Sequence, residues 1–148
     1  MRAARRIAFG VALVVGVGLL VLVSPSVRDG VPGQLTQAQQ ESESATRTGV
    51  LAMRLWREHR SSDALAAVQL GDASEQVTKA YEDIATLTPD TDGALRRQQA
   101  LTATMTDAVA ALNGARALVR GVPLPDGVDA VDQRLARAVN DLAAQGES

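Results

Sequence analysis

Four stretches of this chain place apolar or small residues at alternating steps of three and four, and this spacing is the strongest constraint on its fold. An α-helix has about 3.6 residues per turn, so residues spaced in this way share one helix face, as they do in coiled coils. No stretch alternates apolar and polar residues over a useful length, which is the pattern of a half-buried strand. The sequence therefore predicts an all-α fold.

The four predicted helices cover about residues 34–60, 62–88, 93–120 and 127–144. Their predicted core faces are, helix by helix, Leu35, Ala38, Ser42, Ala45, Gly49, Ala52 and Trp56; Ala66, Leu70, Ala73, Val77, Ala80, Ile84 and Leu87; Ala94, Gln98, Leu101, Met105, Ala108, Leu112, Ala115 and Val119; and Val128, Val131, Leu135, Ala138 or Val139, and Leu142. Short connections between such helices predict an antiparallel, up-down-up-down four-helix bundle over residues 34–145, followed by a polar tail at 146–148.

Each predicted break between helices has its own chemistry. Residues 59–63 combine basic residues that suit a helix carboxyl end with two serines that can cap the next helix. Residues 88–93 contain Pro, Asp and Gly, and residues 121–125 contain Gly and two prolines, all of which interrupt helices. Asp92 and Asp126 are the predicted amino-terminal caps of the third and fourth helices.

A run without charge, Asn, Gln or Pro extends from Ile7 to Val23, directly after three arginines within residues 1–6. A membrane-spanning helix needs about 17 to 25 predominantly apolar residues. Residues 1–26 are therefore predicted to be a signal-anchor, and residues 27–33, which contain two Gly and one Pro, a flexible tether.

A cleaved signal peptide is the alternative interpretation of the same run. Its apolar core usually has about 7 to 15 residues, fewer than this run contains, and Ser24-Pro25-Ser26 lacks the alanines favoured at a cleavage site. Positively charged flanks stay in the cytoplasm. We therefore expect a single-pass protein of the cell membrane, with its amino terminus cytoplasmic and residues 27–148 extracytoplasmic, or secreted if the signal is cleaved.

The composition argues against several classes of function. The chain has no cysteine, and its one histidine, His59, falls at a predicted helix end. Nucleophilic cysteine chemistry, di-iron bundle sites and histidine-based zinc sites therefore lack their residues. Asp90-Thr91-Asp92-Gly93 resembles half a calcium loop, but the Gly and Glu that such a loop needs further on are absent. We expect no enzyme activity, catalytic residue, metal or cofactor.

Charge and residue usage bear on partners. The whole chain has net charge −2, and without the three arginines of residues 1–6 the charge is −5. A mildly acidic domain with few aromatic residues does not suit nucleic acid, which selects a basic surface and stacking side chains. Arginine outnumbers lysine 14 to 1, which suggests a GC-rich bacterial genome and hence a bacterial cell envelope protein.

The first predicted helix has the least apolar volume. No large apolar side chain occurs from Gln37 to Thr48, and the residues that supply volume follow at 50–55. The underfilled face predicts contact with another envelope protein or self-association. Its candidate interaction residues are Leu35, Ala38, Ser42, Ala45 and Gly49. Ser42 and Gln98 are polar positions within core faces, where such residues set helix register or, alternatively, line a small pocket; register is the preferred interpretation.

Arg47, Arg54 and Arg57 share one side of the first helix, which makes them candidates for contact with an anionic ligand or a lipid headgroup. The alternative is a solvated face interleaved with carboxylates such as Glu58.

The sequence is compatible with two functions. The first is a non-enzymatic, membrane-anchored accessory or scaffold subunit of an envelope complex. The second is an extracytoplasmic sensor or small-ligand-binding bundle that works through a separate partner, and it resembles the exported bundles of chemoreceptors and sensor kinases in architecture only.

Overall fold

The structure is a computed structural model that describes residues 30–125 and 127–146. Within these ranges the chain forms four α-helices and no strand, as the spacing of apolar residues predicted. The helices are α1, Gly30–Arg57; α2, Asp63–Ala85; α3, Asp92–Val119; and α4, Gly127–Gly146.

Helices that follow one another in the chain pack side by side, and α4 also packs against α1. The Gln98 side chain of α3 donates to the carbonyl of Ile84 near the end of α2, and Gln39 near the start of α1 donates to the carbonyl of Leu142 near the end of α4. Such contacts join the start of one helix to the end of its neighbour. The described helices therefore form an antiparallel four-helix bundle, in which α1 and α3 also touch across the centre.

The predicted core faces are buried almost throughout. All eight predicted positions of α3 are buried, as are all but the last on the first and second predicted faces. Trp56 is half-buried in α1; Leu87 is half-buried but lies beyond α2, which ends at Ala85 and not near residue 88 as predicted. On α4, Ala138 rather than Val139 is buried, and Val128 is half-buried. Nearly half of the buried apolar residues are alanine, and such small side chains let helices approach closely.

α1 buries a second row of side chains that its 3-4 spacing did not predict. Gln39, Thr46 and Met53 are 4%, 0% and 1% exposed. The cause is the number of neighbours, because α1 packs against α2 and α4 and also meets α3 across the centre. A helix with three neighbours buries a wider sector than one seam.

The first helix begins earlier than predicted. Residues 30–33, predicted to belong to the tether, form the first turn of α1, while residues 27–29 lie outside the described residues. Pro32 fits this turn because the first backbone N–H groups of a helix have no intrahelical acceptor, so the missing N–H of proline costs nothing there.

The predicted break after α1 is confirmed. His59 adopts the left-handed conformation with φ of 55°. The backbone N–H of Arg60 donates to the carbonyl of Leu55 at 2.8 Å, and that of His59 donates to Trp56 at 3.0 Å, which is the Schellman arrangement of a helix end. Ser62 then caps α2, since its hydroxyl accepts from the backbone N–H of Leu65.

The amino-terminal cap of α3 differs from the prediction. Thr91, not Asp92, has the extended backbone of a cap, and its hydroxyl accepts from the backbone N–H of Ala94 at 3.2 Å. Asp92 is instead the first helical residue, where its negative charge interacts favourably with the positive end of the helix dipole. At the other end of α3 the chain turns at Gly121, with φ of 80°. Asp126, the predicted cap of α4, lies outside the described residues.

None of the four described helices combines the length and the apolar character that crossing a membrane requires. The predicted signal-anchor at residues 1–26 lies outside the described residues.

Candidate interaction surfaces

The predicted interaction face of α1 is packed inside the bundle. Leu35 and Ser42 are 0% exposed, Ala38 and Ala45 are at most 5% exposed, and Gly49 is buried. A side-chain methyl at position 49 would lie 2.2 Å from Leu112 Cδ2. The volume that α1 lacks is thus supplied by leucines of its neighbours, so the chain's own helices already occupy this face.

Two buried glutamines hold the end of the bundle at which α1 begins. Gln98 Nε2 donates to the carbonyls of Ile84, at 2.6 Å, and Leu87, at 3.1 Å, where α2 ends. Gln39 Nε2 donates to the carbonyl of Leu142, at 2.9 Å, in the last turns of α4. The Leu87 carbonyl lies beyond the last turn of α2, where carbonyls lack intrahelical donors, while the Ile84 carbonyl also accepts from the backbone N–H groups of Thr86 and Leu87. These contacts of Gln98 support the predicted role in helix register, whereas the sequence did not predict the contact made by Gln39.

Ser42, the other polar residue predicted on a core face, has a different environment. Its hydroxyl is buried without a hydrogen-bond partner, while its backbone carbonyl accepts from the Thr46 hydroxyl at 2.7 Å. A buried hydroxyl without a partner costs stability. No contact of its side chain supports a role in register.

The three predicted arginines all contact carboxylates. Arg47 binds Glu43 and Arg54 binds Glu58, each one helical turn apart. Arg57 reaches across to α4, where it binds Asp132 and, at 3.4 Å, Asp129. The guanidinium groups are therefore engaged within the chain, and a free anion would have to compete with these carboxylates.

An open groove of about 540 Å³ lies between α1 and α4 beside these ion pairs. Its lining residues are Val50, Arg54, Arg57, Glu58, Asp132, Leu135 and Ala136. The hydrogen bond from Arg54 lowers the pKa of Glu58 below its ordinary value; desolvation opposes this effect, and Arg60 adds to it. The groove thus carries both signs of charge above an aliphatic floor.

A second open groove, of about 380 Å³, lies between α2 and α3. It forms where Gly71 leaves room for the guanidinium of Arg116, whose Cζ lies 3.2 Å from the position of a side-chain methyl. Val68 lines the same groove, as do the carboxylates Asp72 and Glu75. Their negative charge opposes the binding of an anion by Arg116.

A patch of aliphatic side chains is exposed where α1 and α2 approach their connection. Leu51, Leu65 and Val68 are 53%, 52% and 57% exposed, and Leu55 is half-buried. We call these four residues the apolar patch. Such clusters are typical of interaction sites on soluble domains.

The contacts between α1 and α2 place the members of the apolar patch at similar heights along the bundle. Leu70 packs against Gly49, and Trp56 Nε1 donates to Asp63 at 2.7 Å. Because the helices are antiparallel, Leu51, two residues after Gly49, lies level with Val68, two residues before Leu70. The sequence had assigned Leu51 and Leu55 to the packing volume of α1. Leu51 and Leu55 are four residues apart and lie outside the predicted core face. This spacing indicates a second apolar stripe on α1.

The remaining titratable residues of the described chain bear on metal binding. No three His, Asp or Glu residues there are placed to hold a metal ion. His59 is exposed at the end of α1, and two of the three acidic residues near the start of α4, Asp129 and Asp132, face Arg57.

Comparisons with protein families, with curated proteins and with solved structures found no match to this chain.

Proposed function

We propose that this protein is a membrane-anchored, extracytoplasmic, non-enzymatic helical module that serves as an accessory or scaffold subunit in the bacterial cell envelope. The observation that carries the proposal is the apolar patch, since three of its aliphatic side chains are more than half exposed on a bundle whose core is otherwise closed.

The position of the apolar patch along α1 favours a protein partner over lipid. In the proposed topology the membrane segment ends near Val23, and α1 begins at Gly30. At about 1.5 Å per residue, Leu51 lies roughly 30 Å along α1 from Gly30. The patch then projects away from the bilayer surface, where it is accessible to another extracytoplasmic protein.

The non-enzymatic part of the proposal rests on the available side chains. The chain has no cysteine and a single histidine, His59, which is exposed at a helix end. The arginines and carboxylates around the α1–α4 groove form ion pairs with one another. A general acid or base requires a pKa near the working pH. The pKa of Glu58 is instead lowered, which takes it further from neutral pH.

The topology has a direct test because the chain contains no natural cysteine. A single cysteine at the exposed position Asn140, made by Asn140→Cys, should react with a membrane-impermeant maleimide in intact cells. Arg2→Cys should react only after the membrane is permeabilised. Labelling of neither position until permeabilisation would refute the extracytoplasmic assignment.

The docking role is tested by placing a photo-crosslinking amino acid at Leu51 or Val68 in the full chain, expressed at its native level in membranes. Both positions should give a discrete crosslinked protein species. The same probe at Asn140, exposed on α4, is the matched control and should give none. Recovery of monomer alone from all three positions would overturn the docking role.

A sensor or small-ligand-binding bundle is the second candidate, and the α1–α4 groove is the observation in its favour. An anion there would need to displace Asp132 from Arg57. Inorganic phosphate and small amino acids should then raise the unfolding temperature of the wild type and not that of Arg54→Ala. Absence of any shift in the wild type would remove this candidate.

A further inference from the structure

We propose that the apolar patch binds a second copy of this chain, forming a two-fold symmetric dimer through the α1–α2 face with the symmetry axis parallel to the helices. The inference rests on the proposed function in treating the patch as a protein-docking surface, and it names the occupant.

The two sides of the patch complement one another. A two-fold axis parallel to the helices sets α1 of one copy against α2 of the other and leaves heights along the bundle unchanged. Leu51 and Val68 lie at the same height within one copy. Across the interface, Leu51 of each copy would therefore meet Val68 of the other. The apolar residues on the two helices then cover each other, and one dimer interface would bury the four patch residues of both copies.

The charges beside the patch follow the same relation. Arg47 lies two residues before Gly49 and Asp72 two residues after Leu70, so these residues are also level. Arg47 is 63% exposed and contacts only Glu43 of its own helix among the described residues. Asp72 is exposed, and although it also lines the α2–α3 groove with Arg116, it forms no ion pair within the described part of the chain. The proposed dimer brings each Arg47 opposite the second copy's Asp72.

The alternative two-fold arrangement, with the axis across the helices, is less favourable. It sets α1 antiparallel to the second copy's α1, so that with Leu51 near the axis Arg47 of one copy would lie near Arg54 of the other. Like charges placed together across an interface oppose association. The parallel axis also leaves both copies of Gly30 at the same end, so both preceding segments can enter one membrane.

Disulfide capture tests this geometry, because any disulfide must come from introduced cysteines. Two differently tagged full-length chains, one with Leu51→Cys and the other with Val68→Cys, are co-expressed in membranes and treated with a mild oxidant. We expect a mixed dimer carrying both tags on a non-reducing gel. Leu51→Cys alone should give no disulfide dimer, since the two copies of residue 51 lie on different helices of the interface.

Charge reversal provides a second, independent readout. Arg47→Asp or Asp72→Arg alone should weaken dimerisation roughly ten-fold, because each change turns two attractive pairs into repulsive ones. The double variant restores both pairs and should recover the wild-type dissociation constant. Arg96→Asp, an exposed charge on α3, is the matched control and should have no effect. Circular dichroism of each variant verifies that the bundle remains folded.

The outcomes separate this inference from the proposed function. A photo-crosslink from Leu51 to a different protein, without any mixed disulfide, overturns the dimer and leaves the docking role intact. A disulfide dimer from Leu51→Cys alone, without the mixed species, overturns the parallel axis. Absence of both photo-crosslinks and disulfides overturns the dimer and the docking role together.

Discussion

Replacement of Gly49 by alanine should destabilise the bundle, although alanine is the better helix former. The added methyl would lie 2.2 Å from Leu112 Cδ2, whereas an ordinary contact is 3.4–4 Å. Leu112 is 0% exposed, so its side chain has no solvent-facing space into which to turn. Insertion of a methylene-sized group into a packed core costs about 1–3 kcal/mol.

The conformational term acts in the opposite direction. Glycine inside a helix is less favourable than alanine by about 0.5–1 kcal/mol. The two terms together leave Gly49→Ala less stable than the wild type by about 1 kcal/mol. Gly114→Ala is the matched control, because position 114 also lies inside a helix and its added methyl would meet nothing within 4 Å. It should be more stable than the wild type by about 0.5–1 kcal/mol.

Thermal unfolding of the full-length protein in mild detergent, followed by helical circular dichroism, measures both changes. A free-energy change of 1 kcal/mol corresponds to a few degrees in Tm for a domain of this size, about 4 °C. The sign of the Tm change should differ between the two variants.

A double variant isolates the contact. In a Leu112→Ala background the clash is absent, so Gly49→Ala should become neutral or stabilising, and the coupling should fall within about 0.5–3 kcal/mol. If Gly49→Ala stabilises the wild type as much as Gly114→Ala does, α1 and α3 do not approach as closely as described.

Three further predictions follow from buried or strained groups. Gln98→Ala should lower stability by about 1–3 kcal/mol because the buried amide contact is lost and the Leu87 carbonyl loses its donor, while Gln99→Ala, at an exposed position, should be near neutral; urea unfolding compares them. Ser42→Ala should raise stability by about 1 kcal/mol, since it removes a buried hydroxyl without a partner, and a lower urea midpoint would show that the hydroxyl has a partner after all. His59→Gly should raise Tm by a few degrees, because a left-handed backbone costs a non-glycine residue about 1–2 kcal/mol; an unchanged Tm would argue against the left-handed end of α1.

Much of the fold follows from local pattern, because a helix of fixed period determines which residues share a face. This accounts for the buried row on α3 and for the break at His59. The second buried row on α1 depends on how many helices surround it, which no local pattern contains. The sequence pattern also could not decide between Thr91 and Asp92 as the cap of α3, because both residue types cap helices and the two residues are adjacent.

The interaction surface was predicted less well than the fold. Small residues such as Gly49 suggested an unfilled face, but the missing volume comes from Leu112, more than sixty residues further along the chain. Conversely, Leu51 was counted as packing volume because it is apolar, and only its angular position around α1 places it outside. Packing between distant segments depends on the tertiary fold and cannot be read from a local pattern. The angular position of a residue around its own helix can be, and it predicts which apolar residues are exposed.

The glutamine contacts described above make the two ends of the bundle mechanically unequal. At the end where α1 begins, Gln39 and Gln98 bind buried carbonyls of α4 and α2. At the opposite end α1 and α4 are joined by the exposed pair of Arg57 and Asp132, which contributes little. Local unfolding should therefore start at the opposite end, and backbone amides there should exchange with solvent fastest. A partner that pulled on the apolar patch would load the end that opens first, while the end nearest the start of α1 stayed closed.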